Sequence, residues 1–102
     1  MVEIFRKNVE KPEIERGRFK LSSSDFQELG ADKFKVRDNQ GKEWNCYCKK
    51  GSGDEYNLHV EKWKDFVEKL GIKAGRSEIS LHKEAGHFGA GGPSYKFEVE
   101  NR

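Results

Sequence analysis

The fold is decided by residues 38–75, which read DNQGKEWNCYCKKGSGDEYNLHVEKWKDFVEKLGIKAG. They open with a turn tetrad at 38–41, where an Asx side chain at the start and a glycine at the end favour a tight reversal. Apolar and polar residues then alternate over 44–49 and again over 56–60, which predicts two strands joined by a polar loop. The stretch therefore predicts a strand, a basic loop, a second strand and then a helix.

The helix that closes this stretch has the clearest pattern in the chain. Trp63, Phe66, Val67 and Leu70 fall at i, i+3, i+4 and i+7, so they form one apolar stripe. Gly71 follows at the position where a left-handed residue commonly ends a helix. The charged residues between the apolar ones are expected to face solvent.

The same alternation predicts five further strands. They are expected at 2–7, 17–21 and 33–38, around Ile79 and Leu81, and over Tyr95, Phe97 and Val99. A second, short helix is expected before Gly30, because Ser24 and Gln27 have capping-box spacing. Residues 8–16 are polar and contain a proline, which predicts a loop, and the glycine-rich residues 86–93 predict a hairpin connection. The pattern thus indicates a mainly β fold, a seven-stranded open β-barrel (pseudobarrel) with two short α-helices.

The composition fits one domain over residues 1–102. A chain with 33% hydrophobic and 37% charged residues must bury nearly every large apolar side chain in a single core. The net charge is only +2, but residues 33–50 carry six basic residues against two acidic ones. Such clustering is the electrostatic footprint that binding to nucleic acid requires. No apolar run is long enough to cross a membrane and the N-terminus lacks a signal-peptide core, so no membrane partner is expected.

The residue pattern offers no catalytic or metal-binding constellation. Cys46 and Cys48 lie two apart on a predicted strand, where disulfide geometry is poor, so they are expected as buried thiols in a reduced compartment. His59, His82 and His87 are scattered and show no metal-ligand spacing relative to the cysteines. We therefore expect no enzyme activity, no metal, no cofactor and no small-molecule substrate.

Two basic clusters are candidates for binding an anionic partner. Tyr47, Lys49 and Lys50 are expected to face outward, opposite Trp44 and Cys46, where lysines can neutralise phosphates. The second cluster surrounds the first loop, and arginines in it can read guanine bidentately; it consists of Arg6, Lys7, Lys11, Arg16 and Arg18. On residue types alone, each cluster is more typical of a solvated surface than of a DNA interface.

A further basic row lies on the strand that precedes the 38–41 turn. Lys33, Lys35 and Arg37 alternate with two apolar residues and are expected to face outward. They contribute to an interface only if their strand lies on the same side of the barrel as the two clusters.

The chain resembles a plant B3 DNA-binding domain. The matching segments are IFRK, RFKLSSSDF, VRDNQGKEW, YNLHVEKWKDFVEKLGI and KAG, in the family's order and over nearly the whole chain. The likeness is greater to divergent, reproductive-meristem-type members than to the hormone-response subfamilies. It implies a seven-stranded pseudobarrel with two short helices that grips the major groove of duplex DNA with two arms. On this sequence the arms are residues 7–18 and residues 47–55.

Two departures from the family pattern concern affinity and sequence preference. Arg76 follows the KAG turn, where the family usually has an acidic residue. The first arm lacks the family's Ser-Asp pattern and carries Glu10, Glu13 and Glu15. The acidic first arm and the modest net charge motivate an alternative, a protein-interaction module that keeps the B3 scaffold but has little DNA affinity. A sensor domain of a restriction-type nuclease is a third possibility.

The resemblance implies sequence-selective binding of double-stranded DNA by the DNA-binding domain of a nuclear plant transcription regulator. The resemblance implies no cofactor. The candidate DNA-binding residues are Arg6, Lys7, Lys11, Arg16, Arg18, Lys20, Asn45, Tyr47, Lys49, Lys50 and Ser52.

Overall fold

The structure is a computed structural model that describes residues 2–84 and 94–102. Within these residues it contains seven strands and three short helices. In chain order they are β1 (Val2–Asn8), α1 (Lys11–Arg16), β2 (Arg18–Leu21), α2 (Ser23–Leu29), β3 (Lys33–Arg37), β4 (Glu43–Lys50), β5 (Tyr56–Val60), α3 (Trp63–Leu70), β6 (Ser77–Glu84) and β7 (Ser94–Asn101).

All seven strands belong to one sheet that curls into a nearly closed barrel. Its order is β1-β6-β7-β3-β4-β5-β2, and neighbouring strands are antiparallel except for the short parallel pairing of β3 with β7. The predicted seven-stranded open barrel is therefore confirmed. The predicted hairpin connection at 86–93 lies outside the described residues.

Side chains close the seam between the two edge strands, β1 and β2. The ammonium group of Lys7 on β1 donates a hydrogen bond of 2.9 Å to the backbone oxygen of Lys20 on β2. Beneath it, the rings of Phe5 and Phe19 lie 6.0 Å apart. The barrel thus remains open in its backbone ladder but is joined across the gap by one cation and one aromatic contact.

The core is built on aromatic rings that link α3 to the sheet. Phe66 is fully buried, and its ring makes edge-to-face contacts with Trp44 on β4 at 5.1 Å and with Phe97 on β7 at 5.3 Å. Trp63 packs edge-on against Phe19 on β2 at 5.3 Å. Such pairs stabilise by about 0.5–1.5 kcal/mol each beyond the burial of their area. The apolar stripe predicted for this helix is therefore its inward face.

The prediction of two helices was wrong, because residues 11–16 form a third helix where a loop was expected. Its ends explain why it forms. The Glu10 side chain accepts from the backbone of Glu13, whose carboxylate accepts from the Glu10 N–H at 2.9 Å, which is a capping box built from two glutamates. Pro12 lies in the first turn, where its missing N–H is harmless, and Gly17 ends the helix at a φ of 71°.

Two local details also differ from the predictions. Helix α2 is capped by Ser22, whose hydroxyl accepts from the Asp25 N–H at 3.1 Å, rather than by Ser24. In β1 the register shifts between Glu3 and Phe5, so the regular alternation breaks. As a result Ile4 and Phe5 are both buried.

The β3–β4 turn is fixed by a buried carboxylate. Asp38 is only 2% exposed, and its two oxygens accept three hydrogen bonds: from the backbone of Gln40 at 2.8 Å and of Lys42 at 3.0 Å, and from the indole of Trp44 at 2.8 Å. Burial by itself raises the pKa of Asp38, but these hydrogen bonds and the charge of Lys69 outweigh it and hold the pKa below its usual value. The turn therefore ties the surface hairpin to the core through one charged group.

Candidate nucleic-acid interface

Four neighbouring strands, β2, β5, β4 and β3, present one continuous outward surface, which we call the basic face. It consists of Arg18, Lys20, Lys33, Lys35, Arg37, Asn45, Tyr47, Lys49, Asn57 and His59. Residues paired across a ladder point to the same side of the sheet, and so do residues two apart on one strand. The strand register therefore assembles side chains from residues 18 to 59 of the chain into one surface.

The centre of the basic face is an aromatic pair. Tyr47 on β4 is paired with His59 on β5, and their rings stack at 4.8 Å between centroids with an interplanar angle of 6°. The ammonium group of Lys49 lies 5.5 Å from the Tyr47 ring, within cation–π range. Partial burial, followed by the charges of Lys49 and Arg18, lowers the pKa of His59. Since its ordinary pKa is about 6.5, His59 is neutral at pH 7.

Cations flank this aromatic pair on both sides. The register places Lys33 opposite Tyr47 and Arg18 opposite His59, so one row across the sheet has a cation at each end. A neighbouring row sets Lys49 opposite Asn57, which in turn lies opposite Lys20. The face therefore alternates positive side chains with groups that can donate or accept hydrogen bonds.

The cations of the basic face have no carboxylate partners among the described residues. Seven ion pairs within 4.0 Å are found in residues 2–84 and 94–102, and none of them involves the six cations of this face. These six are Arg18, Lys20, Lys33, Lys35, Arg37 and Lys49. Glu43 lies opposite Arg37 at one corner, and Glu61, just after β5, lines a small pocket together with Lys33, Lys35 and Tyr47. Six cations therefore stand against two carboxylates. The face is consequently a concentrated positive field that an anionic partner can neutralise.

Five of the predicted site residues meet on the basic face. These are Arg18, Lys20, Asn45, Tyr47 and Lys49. Lys50 and Ser52 are exposed at the tip of the β4–β5 hairpin, beside the face. Lys50 has the phase of Cys48 rather than that of Lys49, and it is exposed because the strand runs past the core at this point.

The other predicted residues have different positions or partners. Arg6 is on β1, at the opposite edge of the hydrogen-bonded order from β2, and its guanidinium pairs with Glu3 and Glu78 at 2.6 Å each. The Lys7 ammonium group donates its hydrogen bond across the seam and lies 3.6 Å from the Glu13 carboxylate. Lys11 and Arg16 are exposed on α1, beyond the edge of β2. The structure therefore divides the second predicted cluster, and only Arg18 of that cluster belongs to the basic face.

Sequence reasoning missed two residues of the face and left three open. Asn57 and His59 alternate with buried residues of β5, so their outward phase was readable, but no charge drew attention to them. The three residues left open, Lys33, Lys35 and Arg37, belong to the face because β3 pairs with β4, which carries Tyr47 and Asn45. These residues could not be placed on the face from sequence, because periodicity within one strand does not show which strands lie beside β4.

The titratable groups elsewhere give no catalytic arrangement among the described residues. Ser80 Oγ and Glu98 Oε2 lie 2.9 Å and 3.8 Å from His82, but both contact the same ring nitrogen, Nε2. In a hydrolytic triad the nucleophile and the acid contact different nitrogens. Burial raises the pKa of the Cys46 thiol strongly and that of Cys48 to about 12, so neither is a ready nucleophile or metal ligand.

Residues 2–84 and 94–102 contain neither a metal-binding cluster nor a helix that could cross a membrane. No cluster of three or more His, Cys, Asp or Glu there is arranged to hold a metal ion. None of the helices in this part of the chain has the length and apolarity needed to cross a bilayer.

The chain has the pseudobarrel fold of B3 domains. Comparison with solved structures finds this fold in an Arabidopsis FUS3–DNA complex, where FUS3 is a plant B3 domain. The TM-score is 0.65, the sequence identity is 14%, and the match covers 98% of this chain and 98% of that chain. No protein-family model matches the sequence, and no curated protein matches it.

Proposed function

We propose that residues 1–102 form one DNA-binding domain whose basic face binds double-stranded DNA through the major groove. The observation that carries this proposal is the set of six cations on one face with no carboxylate partner in the described residues. Duplex DNA presents one negative charge for about every 1.7 Å of its axis, so it matches a positive surface of this extent. The similar FUS3 structure is a complex with DNA, which supports the same partner.

The shape of the β4–β5 hairpin suits the major groove. That groove is about 12 Å wide and admits a two-stranded β-ribbon, and two paired strands lie about 4.8 Å apart. The hairpin carries Lys49 and Asn57 on its outward side and Lys50 and Ser52 near its tip. We assign the lysines to phosphates and the Asn57 amide to a base edge, because an amide can pair with adenine bidentately.

Sequence selectivity requires base contacts besides the phosphate contacts. Arg18 is the best candidate to read guanine, since it lies at the edge of the face and makes no ion pair within the described residues. Asn45 is the second amide available on the face. Tyr47 and His59 offer a stacked aromatic surface that can contact sugars or thymine methyl groups.

The acidic first arm does not favour the protein-interaction alternative once its contacts are considered. Glu10 and Glu13 form the capping box of α1, and Glu13 also lies 3.6 Å from Lys7. Two of the three carboxylates therefore hold α1 and the barrel seam in place. Glu15 is exposed beside Lys11, at 3.9 Å. The arm is consequently less repulsive to DNA than its composition suggests.

Salt-dependent binding measurements test the proposal directly. Each phosphate contact adds about −0.9 to the slope of log affinity against log salt, so six contacts give a slope of about −5. The Lys33→Gln/Lys35→Gln variant is expected to reduce that slope by about 1.8. A matched control, Lys73→Gln/Arg76→Gln, removes two exposed charges from the turn after α3 and is expected to leave the slope unchanged.

The outcomes separate the alternatives. Equal slopes for both variants would show that the basic face does not hold the DNA. Absence of binding by the unmodified protein to random duplexes at low salt would favour the protein-interaction module. Selection of bound duplexes from a random pool would then test sequence selectivity, and with it the role of a nuclear plant transcription regulator that we propose for this domain.

A further inference from the structure

A groove that borders the basic face has a cationic lining of its own. It has a volume of about 430 Å³ and lies between the end of α1, the strands β4 and β5, and the start of α3. Three of its lining residues are cations, namely Arg16, Lys62 and Lys64. Tyr47 and His59 also line it, so the groove opens onto the aromatic centre of the basic face.

We propose that this groove is a second phosphate-binding site, which holds the DNA backbone outside the base pairs that meet the basic face. The inference rests on the proposed function and extends it, because it assigns a contact region to α3, which lies in neither of the two arms expected from the sequence. We assign a phosphodiester as the ligand for two reasons: it is an anion, which the cations of the groove can bind, and the groove opens onto the basic face, so the DNA backbone bound there can continue into it.

The walls of the groove are held rigidly relative to each other. The Trp63 indole donates a hydrogen bond of 2.8 Å to the backbone oxygen of Ile14, which joins α3 to α1. Gly17 packs so closely on Trp63 that a Cβ at this glycine would lie 3.2 Å from ring atoms. The groove is therefore present before a ligand arrives, and binding does not require the two helices to be ordered first.

The balance of charge in the groove favours an anion. Two carboxylates, Glu15 and Asp65, also line it, so the three cations leave a net positive charge of one. Glu15 lies 3.9 Å from Lys11 on the exposed side of α1, and Lys11 offsets it further. Within the described residues Arg16, Lys62 and Lys64 make no ion pair, so they remain available to a phosphate.

The test compares Lys62→Gln/Lys64→Gln with Lys69→Gln/Lys73→Gln, which removes two exposed charges from the other end of the same helix and the turn after it. On a duplex of about 20 base pairs, the groove variant is expected to reduce the salt slope by about 1.8 and the affinity at about 0.1 M salt on the order of 10-fold. The control variant is expected to bind like the unmodified protein. Because a phosphate contact carries no sequence information, the loss is expected to be the same on a selected site and on random DNA.

Three results would overturn the inference while leaving the proposed function intact. The first is DNA binding by the groove variant with an unchanged slope. The second is an equal loss in the control variant, which would mean that α3 acts only through the overall charge. The third is a loss confined to the selected site, which would mean that the groove reads bases. If the unmodified protein does not bind DNA at all, the proposed function itself fails and the inference fails with it.

Discussion

Asparagine has nearly the same shape as aspartate, so the Asp38→Asn substitution changes only the charge of this buried side chain and the hydrogen bonds that it makes. One carboxylate oxygen accepts the backbone N–H groups of Gln40 and Lys42, and the other accepts the Trp44 indole. Asparagine has only one acceptor oxygen, and if that oxygen keeps the two backbone bonds, its NH₂ group faces the indole N–H. The substitution thus sets two donors against each other in a site that is 2% exposed in the native protein.

The expected loss in the free energy of unfolding is about 2–4 kcal/mol. A hydrogen bond to a charged group contributes about 1.5–3 kcal/mol, and a buried donor left without a partner costs about 1–3 kcal/mol. The two retained bonds also weaken, because neutral hydrogen bonds are roughly half as strong as charge-assisted ones. In a domain of this size each kcal/mol lowers the melting temperature by about 4–8 °C, so a decrease of roughly 8–32 °C is expected.

The assay is urea unfolding of both proteins at pH 7 and at about pH 2. The folded-state pKa of Asp38 is lowered, so its stabilising contribution is complete above the unfolded pKa of about 3.9 and is lost as the pH falls through the lower, folded pKa. The difference between the proteins is therefore expected to be large at pH 7 and smaller at pH 2. Asp32→Asn, at an exposed position just before β3, is the matched control and is expected to change stability by less than about 0.5 kcal/mol.

A double-mutant cycle with Trp44→Phe isolates the indole bond. In that background Asp38→Asn is expected to cost less, because the donor it would leave unpaired is already absent. A loss below about 0.5 kcal/mol for Asp38→Asn at pH 7 would show that the three hydrogen bonds of Asp38 do not stabilise the fold. An equal loss at both pH values would show that the charge of Asp38 contributes nothing.

Three further predictions concern single residues. DNA affinity is expected to increase between about pH 8 and about pH 5.5, and to increase more in the unmodified protein than in His59→Gln, because protonation of the His59 imidazole adds a charge to the basic face. Identical pH profiles of fluorescence anisotropy for the two proteins would contradict this. Iodoacetamide is expected to leave Cys48 of the folded protein unmodified at pH 7.5 by mass spectrometry, since burial raises its thiol pKa to about 12; alkylation as fast as in urea would disprove it. Gly53→Ala is expected to lower the free energy of unfolding by roughly 1 kcal/mol, because Gly53 has a positive φ, and Gly17→Ala is expected to lower it by more. Gly17 also has a positive φ, but a Cβ there would in addition press against Trp63. Equal losses in urea unfolding would contradict this prediction.

Most strands were predictable because they carry their own two-residue alternation, which breaks in β1 between Glu3 and Phe5. Helix α1 carried no comparable signal. A six-residue helix is shorter than two turns, so it cannot show a reliable 3.6-residue period. Its only sequence marks are Pro12, the three-residue spacing of Glu10 and Glu13, and Gly17 after its last residue. They lie in a stretch whose mixed charges are typical of a loop. Short helices stabilised by their ends are therefore the elements that periodicity fails to find.

The candidate site was predictable residue by residue but not as a surface. Alternation correctly placed Tyr47 and Lys49 on the outside of their strand. Alternation does not show that Arg18 lies opposite His59, since that pairing joins strands forty-one positions apart in sequence. Nor does it show that Arg6 is neutralised by Glu78, which is seventy-two positions away. Non-local register and non-local ion pairs decide which charges remain available to a partner.

The position of β7 in the sheet has a consequence for how the chain folds. Among the described strands, β7 alone joins the β6–β1 pair to the β3–β4–β5–β2 half of the sheet. A ribosome must therefore release Ser94–Asn101 before the barrel can assemble, and until then the nascent chain holds two sheet fragments with unpaired edges. Folding that waits for such distant pairings is expected to take milliseconds to seconds. A truncation before Ser94 would accordingly leave two sheet fragments that, among the described strands, have no backbone ladder between them and meet only through side chains at the seam.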